Sequence, residues 1–472
     1  MIALTLAELR DALGGELVGG DPADVVDGSV HTDSRLVEPG AVFFALPGAV
    51  MDGHQFAAAA VANGAALVIA ERPVPVDVPV IVVSDGYVAL AALARLVVER
   101  VRAAGGLRVV AVTGSNGKTT TKNLLRAILE AEGPTVAPAG SFNNHVGAPF
   151  TMLRVGRDTR YLIVEMGASA IGDIARLIRI VVPDIGIVLK VGLAHAGGFG
   201  GIEQTQQAKS EMVRDLPPTA AAVLNTDDPR VEAMSGETSA RVVRFGLEAR
   251  ADVRATDVRA TAAGTTFLLH ADGMTLPVRL RILGEHHVMN ALAALASARE
   301  LGIPLDRAIA AIETVPLAER WRMELLRSAP EVADGGVTII NDAYNASPDS
   351  TAAALKTLAQ IAGPEQRTVA VLGHMAELGE YATEEHDRLG RLVVRLNIGQ
   401  LVVVGAEARA IHQAASLEGS WDGESVFVAD VDAAYDLLRA QLRPGDVVLV
   451  KSSKSAGLRH LGDRLAGAGT AE

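Results

Sequence analysis

The stretch AVTGSNGKTTTKNLL, residues 111–125, joins three local signals. Just before it, LRVVAVTG is a β-branched run that reads as a buried parallel strand. Gly114 and Gly117 follow where the chain must turn. Leu124, Leu125, Ile128 and Leu129 then share one face, so a helix starts around Thr119. Strand, glycine turn and helix in that order describe a phosphate-binding loop, because N–H groups at a helix start point at an anion and the helix dipole assists them. The usual spacing, G-x-x-x-x-G-K-[ST], requires a glycine at position 112, which here is Val112. The loop is therefore a shorter G-x-x-G-K-T. Lys118 supplies a point charge for β- and γ-phosphates, and Thr119 supplies a hydroxyl for Mg²⁺. The competing reading is an ordinary glycine turn with a surface lysine.

Composition bounds the rest. A chain of 472 residues accommodates about three domains. Hydrophobic residues reach 49% but aromatics only 3%, so the cores must be built from Ala, Val, Leu and Ile. The formal net charge of -13 argues against a nonspecific nucleic-acid surface, though a local loop can still bind a small anion. The absence of cysteine excludes disulfides and thiolate metal sites. The start, MIALTLAELRDALGGEL, carries Glu8, Arg10 and Asp11 within its apolar pattern, unlike a signal peptide. The longest small-apolar run, FAAAAVANGAALVIA, is broken by Asn63 and Gly64 and is too short to span a bilayer. A soluble, cytoplasmic, monomeric protein with no membrane span and no nucleic-acid partner is expected.

The patterning predicts an α/β protein of three domains. Residues 1–104 hold short strands and Ala-rich helices and end at VRAAGG, where paired glycines suggest a hinge. Residues 105–316 contain LRVVAVTG, YLIVEMGA and DIGIVLKVG, buried strands alternating with helical patterns, which predicts a mostly parallel sheet. Within this block, RVVRFG, TTFLLHADGMTLPVRLRILG and the Asp272-Gly273 turn suggest a small antiparallel ribbon over about 241–283. HHVMNALAALASARELG reads as a helix closed by Gly302. Residues 317–472 carry VTIIND, RTVAVLG, QLVVVG and DVVLVKS, most running into polar or glycine-containing loops. That pattern is a second, Rossmann-like doubly wound domain with ligands beyond the carboxyl ends of its strands.

Further candidates sit at strand ends. Glu165 ends YLIVE and is expected exposed at the rim that carries the phosphate loop, where a carboxylate suits Mg²⁺. A solvated or ion-paired acid reads equally well from this residue alone. His195, in VGLAHAGGFG, belongs to the same rim, although a lone histidine is more often structural. Lys209, in QQAKSEM, reads as a surface helix lysine. Asp342, in IINDAYNASPD, is placed to reach a nucleotide across a domain crevice, or else caps a turn. DGHQF and HTDSR are common turn compositions.

Taken in order, these pieces resemble the ATP-dependent muramoyl-peptide ligases over nearly the whole chain. The segments that carry the resemblance are TGSNGKTTTK, TDSR, PGAVFFALPG, DGHQFAAAAVANGA, SFNNHVGAPFTMLR, NDAYNASPDS and VLGHMAELGEYATEEH. The last two point to the branch that joins D-alanyl-D-alanine to UDP-N-acetylmuramoyl-tripeptide, a step of cell-wall peptidoglycan synthesis. The resemblance implies that Ser34 and Arg35 hold the UDP end in the first domain. Asn143 and Asn144 would line the muramoyl-peptide path. Gly114, Ser115, Asn116, Gly117, Lys118, Thr119 and Thr120 would surround the ATP phosphates and Mg²⁺. Glu165 and His195 would hold a second Mg²⁺, and Lys209, if carbamylated by CO₂, would add a carboxylate near metal. Asn290 would contact adenine, Arg322 and Asp342 would complete the ATP site, and Tyr344 and Asn345 lie in the loop that would receive the dipeptide. The chain departs from the family pattern at Lys190, His287, His374 and Lys454. A lysine at the last position keeps charge but not an arginine's bidentate fork.

Three other readings stay beside this one. A sibling ligase adding the third amino acid of the peptide would carry DNPR when it adds diaminopimelate, and this chain lacks that stretch. A folylpolyglutamate synthase would typically read GKGS where this chain reads GKTT. A regulatory P-loop NTPase or an inactive nucleotide-binding scaffold would need no second-substrate loops. The residues leave open whether the third peptide residue is lysine or diaminopimelate.

Overall fold

A computed structural model describes residues 1–48, 51–193, 200–316, 319–419 and 421–468. Strand Arg108–Thr113 is buried along VVAVT and lies between strands Tyr161–Glu165 and Ile185–Val188, both parallel to it. Among the described residues these belong to a nine-stranded sheet that continues through Ala221–Asn225 and Arg241–Gly246. Helix Lys118–Glu130 buries Leu124, Leu125, Ile128 and Leu129. It packs on helix His286–Glu300, whose Ala-rich middle permits close approach.

The expected antiparallel ribbon is present but starts later. RVVRFG is a parallel strand of the main sheet, paired along its length with Ala221–Asn225. The helix Pro229–Ala233 lies between those two strands and carries the chain back, so the second enters in the same direction. Strands Val253–Thr261, Gly264–Ala271 and Met274–Leu280 form the antiparallel part and extend the sheet to its edge.

The N-terminal sheet orders strands Glu16–Val18, Val80–Val82, Leu67–Ala70, Val42–Ala45 and Val30–His31, antiparallel only at the first pair. Helix Gly86–Ala103 joins this sheet to the central one. Leu90, Leu93 and Val97 on it share a buried cluster with Leu177 and Ile178 of helix Asp173–Val181. The C-terminal sheet places Val447–Lys451 between Thr338–Asn341 and Thr368–Leu372, all parallel, with Glu324–Arg327 antiparallel at one edge. Strand order switches direction there, and the strand ends at that switch face the phosphate loop.

Candidate active site

The phosphate loop turns on its glycines. Gly114 (φ +151°) and Gly117 (φ +87°) occupy backbone conformations that side chains disfavour, and a Cβ on Gly117 would run into the Asn290 amide. The helix begins at Lys118, so its free N–H groups face the cleft. The Lys118 ammonium folds back onto the Gly114 carbonyl at 2.6 Å. Burial lowers its pKa, with the Glu165 carboxylate opposing that shift and Arg322 adding to it. Ser115 Oγ accepts from the Gly192 N–H at 2.9 Å and donates to the Gly192 carbonyl at 3.1 Å, tying the loop to the neighbouring strand end. Thr120 is buried just behind it.

Glu165 corrects its expected exposure. Only 1% of the residue is accessible, because the loop 138–144 folds over the strand end. Thr119 Oγ1 lies 3.2 Å from Glu165 Oε2, and Asn143 Nδ2 donates to Oε1 at 2.9 Å. Asn144 Oδ1 accepts from the N–H of Gly147, the first residue of helix Gly147–Met152, at 2.8 Å, and both asparagines line the cleft. Lys209, read as a surface residue from its local sequence, is 3% exposed on helix Ile202–Arg214 and lines the same cleft. Burial, and then the charge of Lys118, lower its pKa to about 7. His195 lies outside the described residues.

The C-terminal sheet builds the opposite wall. Asp342 follows one strand and Lys451 ends its neighbour. The Lys451 ammonium donates to Asp342 Oδ2 at 2.6 Å and to the Asp342 and Asn345 carbonyls at 3.1 and 3.0 Å. The guanidinium of Arg322 sits 4.1 Å from the Tyr344 ring centroid and donates to Ser141 Oγ at 3.2 Å. Trp321 and Met323, on either side of Arg322, hold φ of 59° and 51°. Such strain in non-glycine residues concentrates where a side chain must be aimed. The Asp342 carboxylate steadies this bend by accepting from the Met323 N–H at 3.0 Å.

Among the described residues, three polar contacts bridge the two walls. Ser347 Oγ donates to Asn116 Oδ1 at 3.0 Å, Lys190 pairs with Asp349 at 2.9 Å, and Arg322 reaches Ser141. Between the walls lies a cleft of about 1110 Å³. Asn290 and His287 form its far side, joined through Asn290 Nδ2 and His287 Nδ1 at 3.1 Å. Three buried polar atoms of cleft residues, Asn116 Nδ2, His287 Nε2 and Arg322 Nε, have no hydrogen-bond partner among the described residues. Buried polar groups are normally satisfied, so a polar ligand of nucleotide size fits this wall.

The metal expectation is testable on the donor set. Among the described residues, no group of three His, Asp or Glu side chains is poised for a metal. The Thr119 hydroxyl and Glu165 carboxylate are hard oxygen donors, which suits Mg²⁺, an ion that completes its shell with waters and phosphate oxygens. Ser34 and Arg35 lie outside the cleft. Asn63 Nδ2 donates to the Ser34 carbonyl at 2.8 Å, and exposed Arg35 pairs with Asp33 at 2.6 Å. The sequence reading passed over Lys122, Ser141, Lys451 and Asp349. One signal was available for Lys451, since a lysine ending the apolar run VVLV needs an acid on an adjacent strand end.

Family comparisons agree along the chain. The Mur ligase family catalytic domain matches residues 28–107, the Mur ligase middle domain residues 112–298, and the Mur ligase glutamate ligase domain residues 321–454. The UDP-N-acetylmuramoyl-tripeptide–D-alanyl-D-alanine ligase of Mycobacterium tuberculosis is 47% identical, with 98% of each chain covered. A crystal structure of MurF from Acinetobacter baumannii superposes with a TM-score of 0.89 at 31% identity, covering 99% of each chain. The MurF ligase of Thermotoga maritima in complex with ADP gives a TM-score of 0.81 at 29% identity, covering 93% of this chain and 97% of that one.

Proposed function

The chain belongs to the Mur ligase family, and from that membership we propose that it joins D-alanyl-D-alanine to UDP-N-acetylmuramoyl-tripeptide in peptidoglycan synthesis, converting ATP to ADP and phosphate. The observation that carries the reading is the two-walled cleft. One wall presents a phosphate loop with Lys118, Thr119 and Glu165; the other presents Arg322, Asp342 and Lys451 beside the loop that holds Tyr344 and Asn345. A phosphate loop alone needs only the first wall, whereas a ligase needs both.

The chemistry follows from charge. A tripeptide carboxylate oxygen attacks the γ-phosphorus and the bond to the bridging oxygen of ADP breaks, leaving an acyl phosphate. The dipeptide amine then attacks the acyl carbon, the C–O bond to phosphate breaks and the amine proton leaves to solvent. Two anions must meet in the first step, so Lys118 and the helix N–H groups offset their repulsion. Arg322 adds charge from the far wall. Closure of the walls through the Lys190–Asp349 and Ser347–Asn116 contacts keeps water from the acyl phosphate.

Mg²⁺ would be held by Thr119 and Glu165, with His195 in the same set, and would supply positive charge to the transferring phosphoryl group. The reading includes two such ions and a carbamate on Lys209. Burial lowers the Lys209 pKa to about 7, which favours the neutral amine that adds to CO₂ with loss of a proton. Asn290 contacts adenine, Asn143 and Asn144 line the muramoyl-peptide path, and Ser34 and Arg35 hold the UDP end. Domain limits near residues 104 and 316, a monomeric state and a cytoplasmic location belong to the same proposal; among the described residues no helix is long and apolar enough to cross a membrane. Phosphate release measured over a panel of UDP-muramoyl peptides and amino-acid or dipeptide acceptors tests the assignment. Dependence on both tripeptide nucleotide and D-alanyl-D-alanine is expected, and equal release without either acceptor would contradict it.

A further inference from the structure

Lys122 lies one turn beyond Lys118 and Thr119 on the same helix, yet it is only 2% exposed. A buried ammonium is costly unless it is well bonded. This one donates to the carbonyls of Pro138 and Gly140 at 3.1 and 2.9 Å. Those carbonyls open the loop that covers Glu165. The next residue, Ser141, places its hydroxyl 3.2 Å from Thr119 Oγ1 and 3.2 Å from Arg322 Nη2. Two residues further on, the Asn143 amide holds Glu165 Oε1.

We infer that Lys122 is a positioning residue: its ammonium pins the 138–144 loop to the phosphate-binding helix, so that Ser141 and Asn143 fix Thr119 and Glu165 in metal-binding geometry and tie them to Arg322 on the opposite wall. Lys122 is not among the residues that line the cleft. It acts through the loop, and outer partners of this kind set the orientation of oxygen ligands. The inference rests on the ATP- and Mg²⁺-dependent reading above.

The test is ADP binding to the full chain by titration calorimetry, with and without MgCl₂, beside steady-state kinetics. The parent chain is expected to bind ADP more tightly with MgCl₂. For Lys122→Met, ADP affinity without MgCl₂ stays within about 3-fold of the parent, the Mg²⁺-linked gain falls by about 10-fold, and kcat falls by about 10- to 100-fold with less change in KM for ATP. An equal loss of ADP affinity with and without MgCl₂ would mark a merely structural lysine and overturn the inference. So would a Mg²⁺-linked gain and a kcat both within about 2-fold of the parent. Should Lys122→Met not fold, Ser141→Ala carries the test. It removes only the relayed hydroxyl, is expected to lose part of the Mg²⁺-linked gain, and overturns the inference if that gain is unchanged. A parent chain whose ADP affinity ignores MgCl₂ would instead sink the reading on which the inference rests.

Discussion

The Lys451 ammonium lies 2.6 Å from the Asp342 carboxylate, with 2% of the lysine side chain exposed. The pair joins the ends of two adjacent parallel strands at the cleft. Removing one partner leaves a buried charge bonded only to carbonyls. Asp342→Ala is therefore expected to cost about 3–5 kcal/mol in urea unfolding and to abolish turnover. Asp342→Ala combined with Lys451→Met should regain most of the stability but no activity. A double variant no more stable than the single one would contradict the pairing argument.

Lys190 and Asp349 form a more exposed pair across the cleft, and their worth is correspondingly small. Lys190→Glu or Asp349→Lys should each raise KM for ATP by about 2- to 5-fold, an effect that shrinks with added salt. The exchanged pair should restore the parent value. Additive losses in the double variant would show that the two residues act separately.

His286 provides a pH signature of the fold. Burial, helped by Lys451 and Lys190 and opposed by Asp342, lowers its pKa from 6.5 to about 4. Between these values the unfolded chain binds the extra proton, so stability rises with pH across that window and is lost as pH falls from about 6.5 to about 4. The expected loss attributable to this residue is about 1–3 kcal/mol. His286→Gln should flatten that part of the stability profile, and an unchanged slope would refute it.

Much of the frame was legible because it depends on near neighbours. The run VVAVT, the glycines and the Leu124–Leu129 face announce strand, turn and helix within one short window. The direction of RVVRFG was misread because its partner strand is fixed by the intervening helix Pro229–Ala233, not by its own alternation. The site was legible as residue types but not as environment. Glu165 and Lys122 are buried by the 138–144 loop, and Lys209 by the packing of its helix on strand Ile185–Val188 and helix Asp173–Val181, none of which local patterning encodes. Lys451 and Asp342 stand 109 positions apart and meet only because their strands are neighbours.

Lys118 and Lys209 separate two kinds of lysine in one cleft. Lys118→Met should lower kcat by about 10³-fold or more with little change in the unfolding midpoint, since the lysine acts on transferred charge. Lys209→Ala should also be inactive, but short carboxylic acids should partly restore it, because they replace the carboxylate of a carbamate. Full activity of Lys209→Ala, or no rescue of an inactive variant, would remove the carbamate from the account.

The central claim is that ATP cleavage is spent on an amide bond. The direct measurement is a mass-spectrometric count of products from UDP-N-acetylmuramoyl-tripeptide, D-alanyl-D-alanine and ATP, taken beside phosphate and ADP. The account predicts pentapeptide nucleotide, ADP and phosphate in equal amounts, and no multiple-turnover accumulation of the three when D-alanyl-D-alanine is replaced by single amino acids. Phosphate released without a matching amide product would contradict it.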